Sequence, residues 1–127
     1  MNGNNALLDS NIVIYLSKNI LNFDTLASKY EEFYISIITY MEVLGYKFKT
    51  QDEKIIISEL FAQFEIINID LSIADTVISI RNNHKIKLPD AIILATAKNS
   101  DCDLITRNIS DFTKIIKTVN VINPFEY

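Results

Sequence analysis

Apolar and polar positions alternate in short blocks along this chain, and the blocks differ in period. Ala6-Leu7-Leu8 is an apolar run that stops at Asp9, as a buried strand does. Asn11 to Lys18 follows helical spacing, and a second helix is expected over 24–32 with Asp24 as its N-cap. Phe33 to Ile37 is short and rich in β-formers, so it is a second strand. Thr39 to Lys49 places Met41, Leu44 and Phe48 at helical intervals. Asp52 to Phe61 repeats that behaviour, with Ile55, Ile56, Glu59 and Leu60 separating into apolar and polar faces. Phe64 to Ile69 is a third strand. Leu71 to Asn83 is helical, with Ile73, Val77 and Ile80 on one stripe and Arg81 opposite. Pro89 opens a further helix through Lys98, since proline is tolerated at the first helical position. Leu104-Ile105-Thr106 and Thr118 to Ile122 complete the strands.

Strands separated by helical segments pair in parallel through right-handed crossovers, which makes the chain an α/β sandwich. In such sheets ligands sit outside the carboxyl ends of the strands. Asp9 closes the first strand, and Glu42 lies one turn into the helix after the second. Asn108 and Asp111 follow the strand at 104–106. With parallel strands these positions share one edge of the sheet. Asp90 sits in the first turn of a helix, and spacing does not say whether that end faces the same edge.

Composition narrows the class. The 127 residues fit one domain, 1–127, and leave little room for two. Hydrophobic residues make up 49%, enough for a filled core, and the 2 Gly and 2 Pro argue against a turn-rich β-sandwich. The longest apolar run is five residues, Ile12 to Leu16. A membrane span needs about 20, so no transmembrane helix and no membrane association are expected. The first residues carry no base and lead to Asp9, the wrong pattern for a secretory signal. One cysteine, Cys102, forms no intrachain disulfide, and a cytoplasmic location is the expectation. A net charge of -4 counts against a broadly basic nucleic-acid surface. It leaves open a site where bound cations supply positive charge locally.

Carboxylates gathered at one edge repel. Two unit charges ~4 Å apart cost about 1 kcal/mol in water and about 4 at an effective dielectric near 20. A divalent ion turns that repulsion into binding. Oxygen donors with no His or Cys cluster suit Mg²⁺ or Mn²⁺ rather than zinc. Such an ion activates water and neutralises charge on a phosphodiester during in-line attack. Each acid also has a plainer role. Asp9 is a candidate N-cap, and Thr39-x-x-Glu42 matches a capping box. Asp90 complements a helix dipole, and Asp111 is a candidate solvated loop acid.

Taken in order, the motifs resemble the PIN-domain family, and within it the VapC-type toxins of bacterial toxin–antitoxin modules. The resemblance is carried by Leu8-Asp9-Ser10-Asn11, by Ser36-x-x-Thr39-x-x-Glu42-x-x-Gly45, by Leu88-Pro89-Asp90-Ala91 with its small-residue helix to Ala97, and by Ile105-Thr106-Arg107-Asn108-x-x-Asp111-Phe112. It covers nearly the whole length. It implies a PIN-like fold, a central mostly parallel sheet flanked by helices on both faces, and Mg²⁺- or Mn²⁺-dependent endoribonuclease activity. By family pattern Asp9, Glu42 and Asp90 are the core acids, with Asp9 the most direct metal ligand, Asp90 beside it, and Glu42 orienting the metal or its water. Asp111 is taken as the fourth acid and a further metal ligand, with Asn108 a neutral helper. Thr106 and Asn11 are expected to hold these acids by hydrogen bonds, although both also suit ordinary turns. The resemblance further implies a homodimer and a cognate antitoxin that covers the acid groove. Ile12, Val13 and Tyr15 exceed what a small core needs, which adds mild support for a partner.

Other residues carry less. His84 is the only histidine and reads as a surface residue, and no Ser/His/Asp triad is available. Cys102 lacks a partner. Lys47, Lys49, Arg81, Lys85 and Lys87 read as a solvated face, while Arg107, beside the acids, is the candidate RNA contact. Tyr30, Tyr34, Tyr40 and Tyr46 read as packing at the core edge. Two rivals remain: a non-catalytic PIN-like module binding RNA or protein, and a receiver-type phosphoacceptor domain. The receiver needs paired acids after strand one and a Lys after the last strand. Asp9 stands alone, the tail from Val119 to Pro124 has no Lys, and Asp70 is the one spare acceptor. No base-reading element separates RNA from DNA as substrate.

Overall fold

The chain is described by a computed structural model that covers residues 4–45 and 48–126. Tyr46 and Lys47, named above as packing and as a charged face, lie outside these residues. Five strands form one sheet: β1 (Asn5–Leu8), β2 (Glu32–Ser36), β3 (Glu65–Ile67), β4 (Asp103–Ile105) and β5 (Val121–Ile122). Their order is β3-β2-β1-β4-β5, and every pairing is parallel. The helices are α1 (Ser10–Ser17), α2 (Phe23–Ala27), α3 (Ile37–Leu44), α4 (Gln51–Phe61), α5 (Leu71–Asn83), α6 (Leu88–Asn99) and α7 (Ile109–Thr113), and a 3-10 turn spans Pro124–Glu126. No helix of the described residues is long and apolar enough to cross a membrane.

Strand alternation divides the core between the two faces of the sheet. Ala6 and Leu8 turn to one side, where Ile12, Val13 and Leu16 of α1, Val43 of α3 and Ile57 of α4 pack on them. Leu7 turns to the other, against Ile73, Val77 and Ile80 of α5 and the buried run Ala91 to Ala97 of α6. The stripe read from Leu71 to Asn83 is therefore the buried one. Ile12 and Val13 are fully buried, so they are core and lend nothing to a partner surface.

Several boundaries differ from the sequence expectation. The helix expected over 24–32 is the short α2, capped by Asn22 and not by Asp24: the Asn22 side chain accepts from the Asp24 N–H at 2.9 Å. The chain turns extended at Glu32 because Phe33 and Ile35 are drawn into the core. β3 and β5 are shorter than their apolar runs.

The strand order fixes where a site can form. From β1 the chain proceeds outward to β2 and β3, then returns to the other side of β1 for β4 and β5. The crevice at the carboxyl ends of β1 and β4 is thus the topological switch point. This order also departs from the 2-1-3-4-5 sheet of receiver domains. Asp70, the spare acceptor in that reading, is spent as the N-cap of α5, its Oδ1 accepting from the Ile73 N–H at 2.8 Å. The receiver alternative falls.

Candidate active site

Asp9 leaves β1 at the switch point, its N–H donating to the Ile105 carbonyl of β4 at 2.9 Å. Its side chain is 7% exposed. Oδ1 accepts from the Ser10 N–H at 2.8 Å, and Oδ2 accepts from the Thr106 hydroxyl at 2.8 Å. Thr106 is itself fully buried, and its Oγ1 accepts from the Asn108 N–H at 3.1 Å. Both oxygens of Asp9 are thereby oriented, one from its own helix and one from the neighbouring strand. The bond expected from Thr106 is present. Asn108 contributes its backbone, while its side chain is exposed and makes no cap bond to α7.

Glu42 arrives from α3. That helix is capped by Ser36, whose Oγ accepts from the Ile38 N–H at 3.1 Å. Thr39 is buried inside the helix, so the expected Thr39–Glu42 capping box does not form. Instead Glu42 Oε1 accepts from the Ser10 hydroxyl at 2.6 Å. Ser10 therefore touches both acids, through its N–H to Asp9 and its hydroxyl to Glu42. Sequence reasoning gave Ser10 no role. Its position directly after the acid that ends β1 was the available signal.

Asp90 lies half-buried in the first turn of α6, whose N-cap Lys87 supplies no side-chain bond. The acid complements that bare helix end, as the plainer reading held. It also faces the other acids. Burial pushes the Asp90 carboxyl above the usual aspartate range, Asp111 and Glu42 push it further, and Lys87 pulls it back. Burial likewise raises Asp9. The bonds from Thr106 and Ser10 oppose the rise, and Asp90 and Glu42 add to it. Glu42 thus acts on both Asp9 and Asp90, Asp90 on Asp9 and Asp111 on Asp90, and the amino end of α6 belongs to the same rim. Asp111 is exposed on α7, a helix the sequence reading left out.

Asn11 buries its Oδ1 without a hydrogen-bond partner; an amide oxygen only accepts, and the bond to an acid was expected from its Nδ2. The tyrosines point elsewhere: Tyr30 donates to Asp103 at 2.8 Å, Tyr34 donates to Glu32 at 2.6 Å, and Tyr40 packs on Phe61. His84 is exposed at the end of α5. Cys102 is buried ahead of β4, at the opposite end of the sheet, where burial and the flanking Asp101 and Asp103 push its thiol up to about 11.

Among the described residues, no three His, Cys, Asp or Glu side chains are drawn tightly enough to grip one ion together. Mg²⁺ does not require that. It is usually bound through one or two carboxylates, keeping several waters and taking substrate phosphates as further ligands. Each Asp9 oxygen accepts one hydrogen bond here and retains a lone pair. The donors at this rim are all oxygens, and the negative charge that Asp90 and Glu42 place on Asp9, and Asp111 and Glu42 place on Asp90, is what a cation would relieve. Asp9 and Asp90 fit such an ion.

A family model described as PIN domain matches residues 6–117. Among solved structures, the chain is similar to one in a toxin–antitoxin complex from Klebsiella pneumoniae, with 39% identity and a TM-score of 0.74 over 94% of this chain and 97% of that one. It is similar to a chain of FitAcB from Neisseria gonorrhoeae, with 26% identity and a TM-score of 0.75 over 96% and 99%. A chain of VapBC2 from Rickettsia felis, solved bound to a DNA fragment from its promoter, shares the fold at 20% identity and a TM-score of 0.80 over 94% and 98%. No curated protein matches the chain.

Proposed function

Because this chain belongs to the PIN-domain family, we propose that it is a metal-dependent endoribonuclease and the VapC-type toxin of a toxin–antitoxin pair. The observation that carries this reading is Asp9. It is an acid at the sheet's switch point, oriented through both oxygens and pushed upward by its burial and then by Asp90 and Glu42. Nature rarely leaves such a group in a stable core without a use, since an unrelieved buried charge is costly.

In this reading Asp9 is the principal ligand for Mg²⁺ or Mn²⁺, Asp90 the second, and Asp111 the outer acid that reaches the ion through water. The ion, when bound, supplies a Lewis acid for the phosphodiester and a more acidic water. Thr106 and Ser10 hold the Asp9 carboxylate in one orientation. Ser10 occupies Oε1 of Glu42, which leaves Oε2 to orient the attacking water. RNA is the substrate. The Klebsiella neighbour, solved as a toxin–antitoxin complex, supports a cognate antitoxin. Exposed Met41 and Leu44 on α3 with Ile55 and Ile56 on α4 support a protein partner, including a second copy of this chain.

The test is cleavage of single-stranded RNA by the purified chain in Mg²⁺ or Mn²⁺. Cleavage is expected to stop with EDTA, and to fall at least about 100-fold in Asp9→Ala and Asp90→Asn, the scale of losing a charge-stabilising group. Folded variants that cut RNA as fast as the parent would remove these acids from the mechanism. A parent that binds RNA without cutting it would favour the non-catalytic module, and a parent that cuts only DNA would change the substrate.

A further inference from the structure

Arg107 follows the acid-holding Thr106 in sequence, yet its charge is not among those that act on Asp9 or Asp90. Its neighbours in sequence are Thr106, which donates to Asp9, and Asn108, whose N–H donates to Thr106. Its backbone is thereby fixed at the carboxyl end of β4. Its side chain is fixed from other segments. The guanidinium carbon lies 4.5 Å from the ring centroid of Phe125, in the 3-10 turn, and 5.3 Å from that of Tyr15, on α1. The two rings meet edge to face with centroids 5.4 Å apart.

An exposed arginine within reach of a carboxylate ordinarily pairs with it, because the bidentate pair is the stronger contact. Here the charges that move Asp9 and Asp90 are those of Glu42, Asp90, Asp111 and Lys87. The guanidinium lies on two π faces instead, which hold its planar charge while leaving its N–H edge open. Phe125 itself is 37% exposed, so the stack borders solvent. A fork of N–H donors matches a phosphate. On a chain of net charge -4, long-range attraction for a polyanion is absent, so fixed local cations must hold the strand.

We infer that Arg107, clamped by Tyr15 and Phe125, binds a backbone phosphate of single-stranded RNA flanking the bond cut at the acids. Tyr15 stands six residues along α1 from Asp9, about 9 Å at the helical rise per residue. That separation suits a neighbouring phosphate and not the scissile one. The aromatic pair is the positioning element: it holds the guanidinium in place and sets where the strand crosses the rim. This inference rests on the ribonuclease reading above.

The full chain is assayed for cleavage of labelled single-stranded RNA in Mg²⁺ over a series of KCl concentrations. Arg107→Ala is expected to raise KM about tenfold, the scale of one charged hydrogen-bonded contact. It should also flatten the slope of log KM against log [KCl] by about 0.7, the share of one single-strand phosphate. Arg107→Lys keeps the slope and recovers part of the KM. Phe125→Leu keeps the slope but raises KM, and Phe125→Tyr restores it. Arg107 is exposed, so its variants are expected to fold, and thermal unfolding of each variant checks this. An active parent whose KM and salt slope are unchanged in Arg107→Ala overturns the inference alone. An Arg107→Ala effect with none in Phe125→Leu overturns the clamp. A parent that cuts no RNA overturns both this and the ribonuclease reading.

Discussion

At the scale of single residues, Asp9 carries a conflict between stability and chemistry. Burial, then Asp90 and Glu42, hold its carboxyl above the usual aspartate range against the bonds from Thr106 and Ser10. The folded chain therefore binds this proton more tightly than the unfolded chain. Stability from Asp9 is present below the unfolded value and is lost as pH rises through the folded one. Asp9→Asn removes the charge, keeps an oxygen for the Ser10 N–H, and retains a good N-cap. In EDTA at pH 7 the variant is expected to be more stable than the parent by ~1 kcal/mol, the usual scale for relieving a functional residue. The advantage should shrink toward pH 4, where Asp9 takes up its proton. Urea unfolding at both pH values checks this, and a variant less stable at pH 7 would show that the lost hydrogen bonds outweigh the lost charge. Asp9 was legible from sequence because an acid ending an apolar run is a local pattern. The partner of Glu42 was not. A capping box is a spacing of three, whereas Ser10 lies 32 residues away and becomes a neighbour only after α1 and α3 pack together.

At the scale of elements, α6 matters most because it both fills the core and presents Asp90. Residues 91–97 are buried in succession, including Ala91, Ala95 and Ala97, and the helix makes its most extensive packing against α5. Small side chains let the two axes approach. Ala95→Leu adds volume where neighbours on every side are fixed, and is expected to cost about 1–3 kcal/mol. Asp90 sits in the first turn of the helix, so a displaced α6 moves the acid as well. RNA cleavage at a temperature where the variant stays folded is expected to drop by more than its folded fraction does. Thermal unfolding and cleavage rates together check this, and unaltered cleavage would mean that α6 absorbs the leucine without moving its first turn. Periodicity revealed α5 and α6 because each offers about three turns of pattern. It missed α7, whose five residues are held by one buried anchor, Phe112, and it overextended α2, β3 and β5. Elements of two to five residues are set by what they pack against, and that information lies elsewhere in the chain.

At the scale of the molecule, strand order and net charge act together. The parallel pattern and the acidic edge could be read from the alternation of blocks, but the direction of Asp90's helix end depended on α6 crossing behind β1. Once β4 returns beside β1, acids from other segments act on Asp9 and Asp90 at one rim of a chain that already carries -4. Repulsion of this kind lowers stability and is relieved by any ligand that binds the folded form alone. A divalent ion at ten times its Kd contributes RT ln 11, about 1.4 kcal/mol, which for a chain of this length raises Tm by roughly 5 °C. Mg²⁺ is therefore expected to raise the Tm of the parent over EDTA by that amount, with KCl of equal ionic strength giving little. Asp90→Asn should abolish the Mg²⁺ increment. Asp70→Asn, which keeps an N-cap on α5 after β3, two strands from β1, should retain it. An equal rise from KCl would mean screening of diffuse charge and no site. A rise that survives in Asp90→Asn would put the ion on other acids of the chain.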